Sequence, residues 1–576
     1  ILFESRPNLP IPAHLYLPDK LSQKTPAILN VHGHWTGAKN APEVHSRCVF
    51  LAKRGFIVLS LDAIGAGERA YKGIAYHGRQ LGYQILPTGK TLAGLQIEDN
   101  RRAIDLLCTL PEVDPKAIGV TGASGGGNQT FNLTVLDPRV RAAVGVCFFG
   151  SYEGYLHGAH CACELVPGAL TYADEGTVAG LIAPRAFAIF AAKEDHGAAF
   201  RIEDAREQAE IAKKLYALAD AEDQFEFVEY EGGHDYSQVM RETMVAFFEK
   251  HLMGKDNDGK IPEPQLDVLA PEELQVLDEK GLSEGSLFVP QLVAKLAEEK
   301  VESFESEGKD WANPNDRPAL KKEMIERVFG GFPVDIVSGE KPQGIIEEKG
   351  GESCLESEPG VRLPMTIPPK DSPQTDRIIL VLGDYPEGFA PDNNTRCEFV
   401  TLSPRGTGST RWPAANTVDC KDYLIAQGSN ILGRPMLGQW TWDALAAVAA
   451  LRKEFPNAEI FVYGEGVMGL AALFAGVLDE EIAGVATSEM LSSYVWPDRF
   501  DDRWGLVHFV PGILEVGDLS QIARGISPRP LLIASPRNGD GSISPSDKWK
   551  GGNLRIDSDI SPSQALDDLA RLKSNP

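Results

Sequence analysis

A glycine-rich segment, residues 118–127, places a serine between a strand-like run and a helix-like run. The serine is Ser124, and the helix-like run covers residues 128–136. A turn this sharp needs glycine at Gly122 and Gly126, because side chains there would collide with the neighbouring strand and helix. A strand, a tight turn and a helix in this order predict an α/β fold in which the serine hydroxyl stands clear of a sheet.

The rest of the first 253 residues fits that prediction, because strand-like and helix-like segments alternate along it. The strand-like runs are residues 27–31, 55–61, 117–120, 142–148, 186–192 and 225–230. The helix-like runs are residues 97–107, 202–217 and 240–252, and residues 70–95 are predicted to form a loop. Such alternation favours a mainly parallel sheet covered by helices on both faces.

The second half of the chain repeats short motifs of the first half in the same order. The matching pairs are residues 4–8 and 356–360, 27–33 and 378–383, 65–67 and 406–408, 166–168 and 510–512, and 183–185 and 527–529. This order indicates a tandem duplication of one α/β domain. The predicted organisation is a catalytic domain at 1–253, a linker with amphipathic helices at 254–345, and a second domain at 346–576 that packs against the first.

Charge and composition narrow the classes of partner. The formal net charge is -26 over 576 residues, which argues against nucleic acid and anionic membranes as partners. No apolar run is long enough to span a bilayer. Eight cysteines do not identify the compartment, and a sequence that starts at Ile1 neither shows nor excludes a signal peptide.

Three residues have the order that nucleophilic catalysis requires in this architecture. A serine hydroxyl is a weak nucleophile until a base takes its proton, and an acid orients that base. The chain order is serine, acid, histidine, which Ser124, Asp195 and His234 satisfy. Glu194 and Glu153 remain alternative acids.

Other residues are candidates for the oxyanion hole and for substrate binding. The backbone N–H of Gly125, next to the serine, and that of His34 or Trp35, after an early strand, are predicted to hold an oxyanion. Three further residues are candidate substrate-binding groups: Glu68, Arg69 and His160. For Glu68 and Arg69 a surface ion pair is an equal alternative, and for His160 a place in a pocket wall is the alternative.

Two histidine-containing motifs raise the question of a metal. His32-Gly33-His34 lacks further ligands at metal-binding spacing, and residues 157–163, with two histidines and two cysteines, lie in an irregular stretch. We therefore expect no metal, and the chemistry predicted above needs no organic cofactor.

The second half carries the pattern G-x-G-x-x-G at residues 464–469, which also occurs in dinucleotide-binding folds. In the repeat, however, Gly466 takes the place of Ser124. Ten of the eleven histidines lie between His14 and His251, and none follows the last strand of the second half. The second domain is therefore predicted to lack both nucleophile and base.

The assembled motifs resemble the α/β-hydrolase superfamily, and within it the acetyl xylan esterase-like branch of bacterial carbohydrate esterases. They span about residues 1–252 and are His32-Gly33-His34-Trp35, residues 62–69, 121–127, 166–168 and 183–185, and Gly233-His234. The resemblance implies a serine esterase that removes acyl groups from a small or polymeric carbohydrate ester, in a secreted or periplasmic protein. A glucuronoyl esterase, a peptidase, a thioesterase and a non-enzymatic carbohydrate-binding protein remain alternatives.

Overall fold

The computed structural model describes residues 1–576 except 22–23, 73, 75–77, 279, 350–351, 368–374, 391–396, 412–420, 546–548, 550–553 and 572–576. The chain divides into two compact units. The N-terminal unit comprises Ile1–Tyr83 and Thr91–Leu292, and the C-terminal unit comprises Gln84–Lys90 and Val293–Pro576. The predicted domain boundaries at 253 and 345 stay predictions.

The N-terminal unit is built on an eight-stranded sheet. Its strands are β1 (Leu2–Arg6), β2 (Leu9–Tyr16), β3 (Thr25–Asn30), β4 (Ile57–Leu61), β5 (Val113–Ala123), β6 (Val140–Val146), β7 (Ala186–Ala192) and β8 (Phe225–Tyr230). Their order in the sheet is β1-β2-β4-β3-β5-β6-β7-β8. The β1–β2 hairpin joins the sheet antiparallel to β4, and every other pairing is parallel.

Helices cover both faces of this sheet. They are α1 (Pro42–Lys53), α2 (Gly78–Tyr83), α3 (Leu92–Thr109), α4 (Gly125–Leu136), α5 (Glu175–Gly180), α6 (Ile202–Leu218) and α7 (Gln238–Met253). Side chains of α3, α4 and α6 share one apolar cluster with Leu29 and Ile189. Side chains of α1 and α7 share a second cluster with Ile28 and Phe190. Because successive strand residues enter different clusters, the strands are buried on both sides, as parallel strands are.

The C-terminal unit has a six-stranded parallel sheet and a small antiparallel one. The small sheet consists of β9 (Ile345–Lys349), β10 (Glu352–Glu358) and β11 (Val361–Pro364). The parallel strands are β12 (Arg377–Leu382), β13 (Cys397–Leu402), β14 (Glu459–Glu465), β15 (Gly484–Ser488), β16 (Leu531–Ala534) and β17 (Leu554–Asp557). Their order is β13-β12-β14-β15-β16-β17.

The later helices complete the second α/β arrangement. They are α8 (Val289–Ser306), α9 (Arg317–Glu323), α10 (Lys421–Ile431), α11 (Met436–Glu454), α12 (Val467–Leu478), α13 (Leu519–Ala523) and α14 (Pro562–Arg571). A π-helical turn, Met324–Val328, continues α9. Helix α14 packs through Leu566 and Leu569 on the sheet, and α12 packs against β14 and β15. Two α/β-hydrolase-like domains in tandem, as predicted, are confirmed.

Equivalent backbone geometry at equivalent positions marks the two units as repeats. Ser124 has φ 59° and ψ −128°, and Gly466 has φ 56° and ψ −122°. Two arginine side chains also make equivalent hydrogen bonds. Arg185 donates to the carbonyls of Asp137 and Val140, and Arg529 donates to the carbonyls of Asp479 and Ile482.

One predicted loop is partly wrong. Residues 70–95 contain α2, a short 3₁₀ turn at Leu86–Thr88, and the first turn of α3. Helix α3 starts earlier than its apolar periodicity indicates because Thr91 caps it, accepting a hydrogen bond from the Gly94 N–H at 3.0 Å.

Among the helices that the structure describes, none has the length and apolar character needed to cross a membrane.

The turn at Ser124 leaves no room for a side chain at Gly122. A Cβ there would lie 2.6 Å from the carbonyl oxygens of Val31 and Gly126. We expect Gly122→Ala to lower the free energy of unfolding by about 2–3 kcal/mol, since backbone must move. Urea denaturation measures the change.

Gly94→Ala is the control for this substitution, because Gly94 is exposed and a Cβ there would meet no backbone atom, only the Thr91 hydroxyl at 3.3 Å. We expect that variant to unfold at the wild-type urea concentration or slightly above it. Equal stability of the Gly122 and Gly94 variants would contradict the packing described for the turn.

Candidate active site

Ser124 sits at the apex of a backbone turn that few residues other than glycine adopt. Its φ of 59° lies in the left-handed region, and its side chain is mostly buried. The Ser124 N–H donates to the Val146 carbonyl at 2.9 Å, and its carbonyl accepts from the Asn128 N–H at 3.0 Å. The first bond attaches the turn to the end of β6 and the second to the first turn of α4. The surrounding structure thus holds a conformation that is costly in isolation.

Asp195 and His234 form a hydrogen-bonded pair between the loops that follow β7 and β8. His234 Nδ1 lies 2.8 Å from Asp195 Oδ2. The Asp195 side chain is 1% exposed, and its other oxygen accepts from the Gly197 N–H at 3.0 Å. Glu194 and Glu153, the alternative acids, are both exposed. Asp195 is therefore the carboxylate that orients this imidazole.

Backbone hydrogen bonds connect the strand ends that carry these residues. The Cys147 N–H donates to the Phe190 carbonyl at 2.9 Å, which links the end of β6 to β7. The Glu194 N–H donates to the Gly232 carbonyl at 3.0 Å, which links the loops after β7 and β8. Together with the bond from the Ser124 N–H, these contacts hold the three loops at one edge of the sheet, where sites in parallel sheets form.

Cys147 is placed differently from its predicted position inside an apolar strand. Strand β6 ends at Val146, and Cys147 follows it with a φ of 47°. Its sulfur lies within 4.8 Å of ligand atoms of Asp195 and His234 and donates to the Asp235 carbonyl at 3.2 Å. Burial raises the pKa of the Cys147 thiol to about 12, so the thiol is neutral beside the pair at pH 7. It was missed because no local pattern distinguishes it from a core cysteine.

The segment after β3 lies directly on the turn at Ser124. A Cβ on Gly33 would be 2.7 Å from the Ala123 carbonyl oxygen and 3.0 Å from Ser124 Cβ. Gln129, on α4, donates from Nε2 to the His32 carbonyl at 2.9 Å. This side chain, which the sequence analysis missed, holds residues 32–35 beside the N-terminus of α4. Gly125 is the first residue of that helix, where N–H groups lack intrahelical acceptors.

His160 lies behind His234, with an aromatic ring between them. Phe200 stacks on His234 at a centroid distance of 5.9 Å and an interplanar angle of 13°. His160 contacts the same phenylalanine at 5.1 Å, and its Nδ1 lies 3.2 Å from Glu164 Oε2. The structure therefore places His160 in the wall behind the pair, and a role in substrate binding stays a prediction.

Glu68 and Arg69 take part in buried ion networks rather than a surface pair. Glu68 contacts Lys39 and accepts from the Leu277 N–H at 2.7 Å. Arg69 is buried and donates to Asp99 at 2.8 Å and to the Asp62 carbonyl at 3.1 Å. The surface-pair alternative is wrong. Substrate binding by either residue stays a prediction, and both already have protein partners.

The imidazole of His34 lies in an unusual electrostatic setting. Burial lowers its pKa, but Cys161 and Glu164 raise it by more, to about 9. The ring also lies close to the turn, since a Cβ on Gly125 would be 3.3 Å from its Cε1. The side chain of His34 thus lies beside Cys161 and Glu164 and next to Ser124.

The comparisons with known proteins place the N-terminal unit near one esterase family. Residues 1–156 match the family model described as Acetyl xylan esterase (AXE1). The match covers 156 of 576 residues and includes Ser124. It confirms the resemblance to acetyl xylan esterase-like carbohydrate esterases that the motifs predict.

Two curated proteins are similar to parts of this chain, and their names are less specific than that of the family model. A protein of Bacillus subtilis (strain 168) named "Putative hydrolase YtaP" is 27% identical over 261 residues, which cover 42% of this chain and 83% of that protein. "Uncharacterized protein PA2218" of Pseudomonas aeruginosa is 31% identical over 145 residues, 25% of this chain and 35% of that protein. The name of the first relative agrees with the hydrolase class, and the name of the second assigns no activity.

Among solved structures, "Methylesterase BT1017" is 23% identical with a TM-score of 0.42, and the likeness covers 50% of this chain and 62% of that one. "Acetyl xylan esterase from Paenibacillus sp. R4" is 20% identical with a TM-score of 0.34, covering 44% of this chain and 83% of that one. The chain thus spans less than two thirds of the methylesterase. Both TM-scores lie below 0.5, so neither likeness decides what this chain acts on.

A buried carboxyl supports the loop that follows β6. Glu175 is fully buried, and its Oε2 accepts from the Gly150 N–H at 2.7 Å. Burial raises the pKa of Glu175 to about 8, and the nearby charges of Asp174 and Glu164 add to the rise. The folded state therefore holds a proton on Glu175 at pH values where the unfolded chain has lost it.

Because of this proton, we expect the free energy of unfolding to depend on pH. Because the pKa of Glu175 is raised in the folded state, the stabilisation of that state by this proton is complete below about pH 4.5. It is lost as the pH rises through about 8. Glu175→Gln mimics the protonated form. Relative to wild type, we expect the variant to gain on the order of 3–5 kcal/mol between pH 4.5 and 8.

Urea denaturation at a series of pH values measures the difference. Glu153→Gln serves as the control, because Glu153 is exposed, and it should follow the wild-type curve. Parallel stability curves for wild type and Glu175→Gln across this pH range would show that Glu175 is not protonated in the folded protein.

Proposed function

We propose that the N-terminal unit is a serine esterase that removes acetyl or similar acyl groups from a carbohydrate through an acyl-enzyme on Ser124. Support comes from one juxtaposition: a serine held at φ 59° at the end of β5, on the sheet edge that also carries the Asp195–His234 pair. In parallel sheets, this edge is where substrates bind.

The proposed reaction has two acyl-transfer steps. His234 takes the proton of Ser124 as the hydroxyl attacks the ester carbonyl, and it returns that proton to the leaving alcohol. Water then attacks the acyl-enzyme with the same histidine as base. In this mechanism Asp195 accepts a hydrogen bond from Nδ1 of His234, at 2.8 Å, which leaves the other ring nitrogen free of a proton and able to act as the base.

The proposed oxyanion hole uses backbone N–H groups on two elements. Gly125, at the start of α4, supplies one, and its position benefits from the positive end of the helix dipole. His34 or Trp35 supplies the other, since their segment rests against Ala123 and Ser124. Developing negative charge on the carbonyl oxygen is thereby stabilised by fixed dipoles.

The family match supports the proposed substrate class, and the charge of the chain agrees with it. Residues 1–156 match acetyl xylan esterases, whose described substrate is an acetylated carbohydrate. A net charge of -26 suits a neutral ester, which needs no electrostatic steering. We assign no chemistry to the C-terminal unit, because Gly466 offers no nucleophile at the equivalent apex.

Ser124→Ala tests the mechanism. We expect kcat/KM on a short-chain aryl acetate to fall on the order of 10⁴-fold or more, because the acyl-enzyme cannot form. Ser46→Ala is the control: Ser46 is partly exposed on α1, and its hydroxyl donates to the Glu43 carbonyl at 3.2 Å. A Ser124 variant with activity close to that of the Ser46 variant would contradict the proposal.

A pair of substrates tests the acyl specificity. We expect the wild-type chain to release acetate from acetylated xylan and to leave a methyl ester of glucuronic acid intact. Chromatography of both reactions measures the products. Hydrolysis of the uronate ester alone would replace the proposed activity with that of a glucuronoyl esterase.

A further inference from the structure

Two separate segments bring a histidine and two cysteines together beside the candidate active site. His34 follows β3, and Cys161 and Cys163 lie in the irregular stretch after β6. One ligand atom of each lies within 4.8 Å of the other two. Cys163 Sγ is 3.6 Å from His34 Nε2. Cys163 is buried, while His34 and Cys161 are partly exposed.

The spacing is that of ligands around one small cation. A tetrahedral zinc ion with bonds of about 2.3 Å to sulfur and about 2.0–2.1 Å to nitrogen requires a sulfur–nitrogen edge of about 3.6 Å. The distance between Cys163 Sγ and His34 Nε2 has this value. Ordinary apolar packing of a buried thiol does not require an imidazole nitrogen at that distance.

We propose that His34, Cys161 and Cys163 form a binding site for a thiophilic divalent cation such as Zn²⁺. One imidazole and two thiolates are a donor set that zinc favours over calcium and magnesium, which bind oxygen ligands. Three protein ligands leave a fourth position open, as in exchangeable or catalytic sites rather than closed structural ones.

A carboxylate beside the three proposed ligands favours the binding of a positively charged ion. Glu164, next in sequence to Cys163, is nearly buried and acts electrostatically on His34. It also lies 3.2 Å from His160 Nδ1, so its carboxylate is held in position. A carboxylate fixed beside the three ligands offsets part of the charge of a bound cation.

Binding the cation is a proton exchange and not a redox step. Each thiol that ligates the ion, and the His34 ring where it is protonated, releases a proton to solvent, so that His34 binds through a neutral nitrogen. The ion would tie the segment at residues 32–35 to the stretch at 157–164. Ester hydrolysis by Ser124 does not require it, so the site goes beyond the proposed function and departs from the expectation that the chain binds no metal.

Cobalt provides a direct probe, because Co²⁺ bound to thiolates shows sulfur-to-metal charge-transfer bands. We would titrate Co²⁺ into the reduced full chain and compare Cys161→Ser and Cys163→Ser with Cys108→Ser. Cys108 is a partly exposed cysteine on α3 and serves as the matched control. Thermal unfolding without metal checks that each variant is folded.

The proposal predicts one Co²⁺ per chain, displaced by Zn²⁺, with the charge-transfer band retained in Cys108→Ser. Affinity should fall on the order of 100-fold or more in each of the other two variants. Absence of the band in the folded wild type, or a band of wild-type strength in both Cys161→Ser and Cys163→Ser, would overturn it. Because the readout is spectroscopic, it is independent of whether Ser124 is catalytic.

Discussion

The close contact between the turn at Ser124 and the end of β3 is the constraint on which the site depends. Gly122 and Gly126 meet the Val31 carbonyl so closely that a side chain at either would displace backbone. The turn therefore has no room to relax, and Ser124 keeps a φ of 59°. The proposed oxyanion donors lie on the segments that make this contact, and the Asp195–His234 pair lies at the same edge of the sheet.

The C-terminal unit shows that the turn is a property of the fold and not of the chemistry. Gly466 keeps the backbone conformation of Ser124, and its N–H donates to the Ser488 carbonyl at 2.8 Å, as the Ser124 N–H does to Val146. Gly464 is as crowded as Gly122, with Met468 as its neighbour. A strand that leads into a helix this tightly needs the glycine pattern whether or not a nucleophile follows.

Local patterns predicted much of this molecule and failed where distant segments meet. The strand–turn–helix at Ser124 and the strand ends before Asp195 and His234 are visible in the sequence, because each depends on neighbouring residues. The positions of Cys147 and Gln129 were missed, since only the tertiary fold brings them to the site. His34 and Cys161 are 127 positions apart, and neither surrounding motif contains a complete ligand set.

The central proposal is that Ser124 is an activated nucleophile. Reaction of the full chain with a serine-directed fluorophosphonate, followed by peptide mass spectrometry, tests it most directly. We expect a single covalent adduct, on the peptide that contains Ser124. An unlabelled chain, or an adduct confined to another serine, would contradict it.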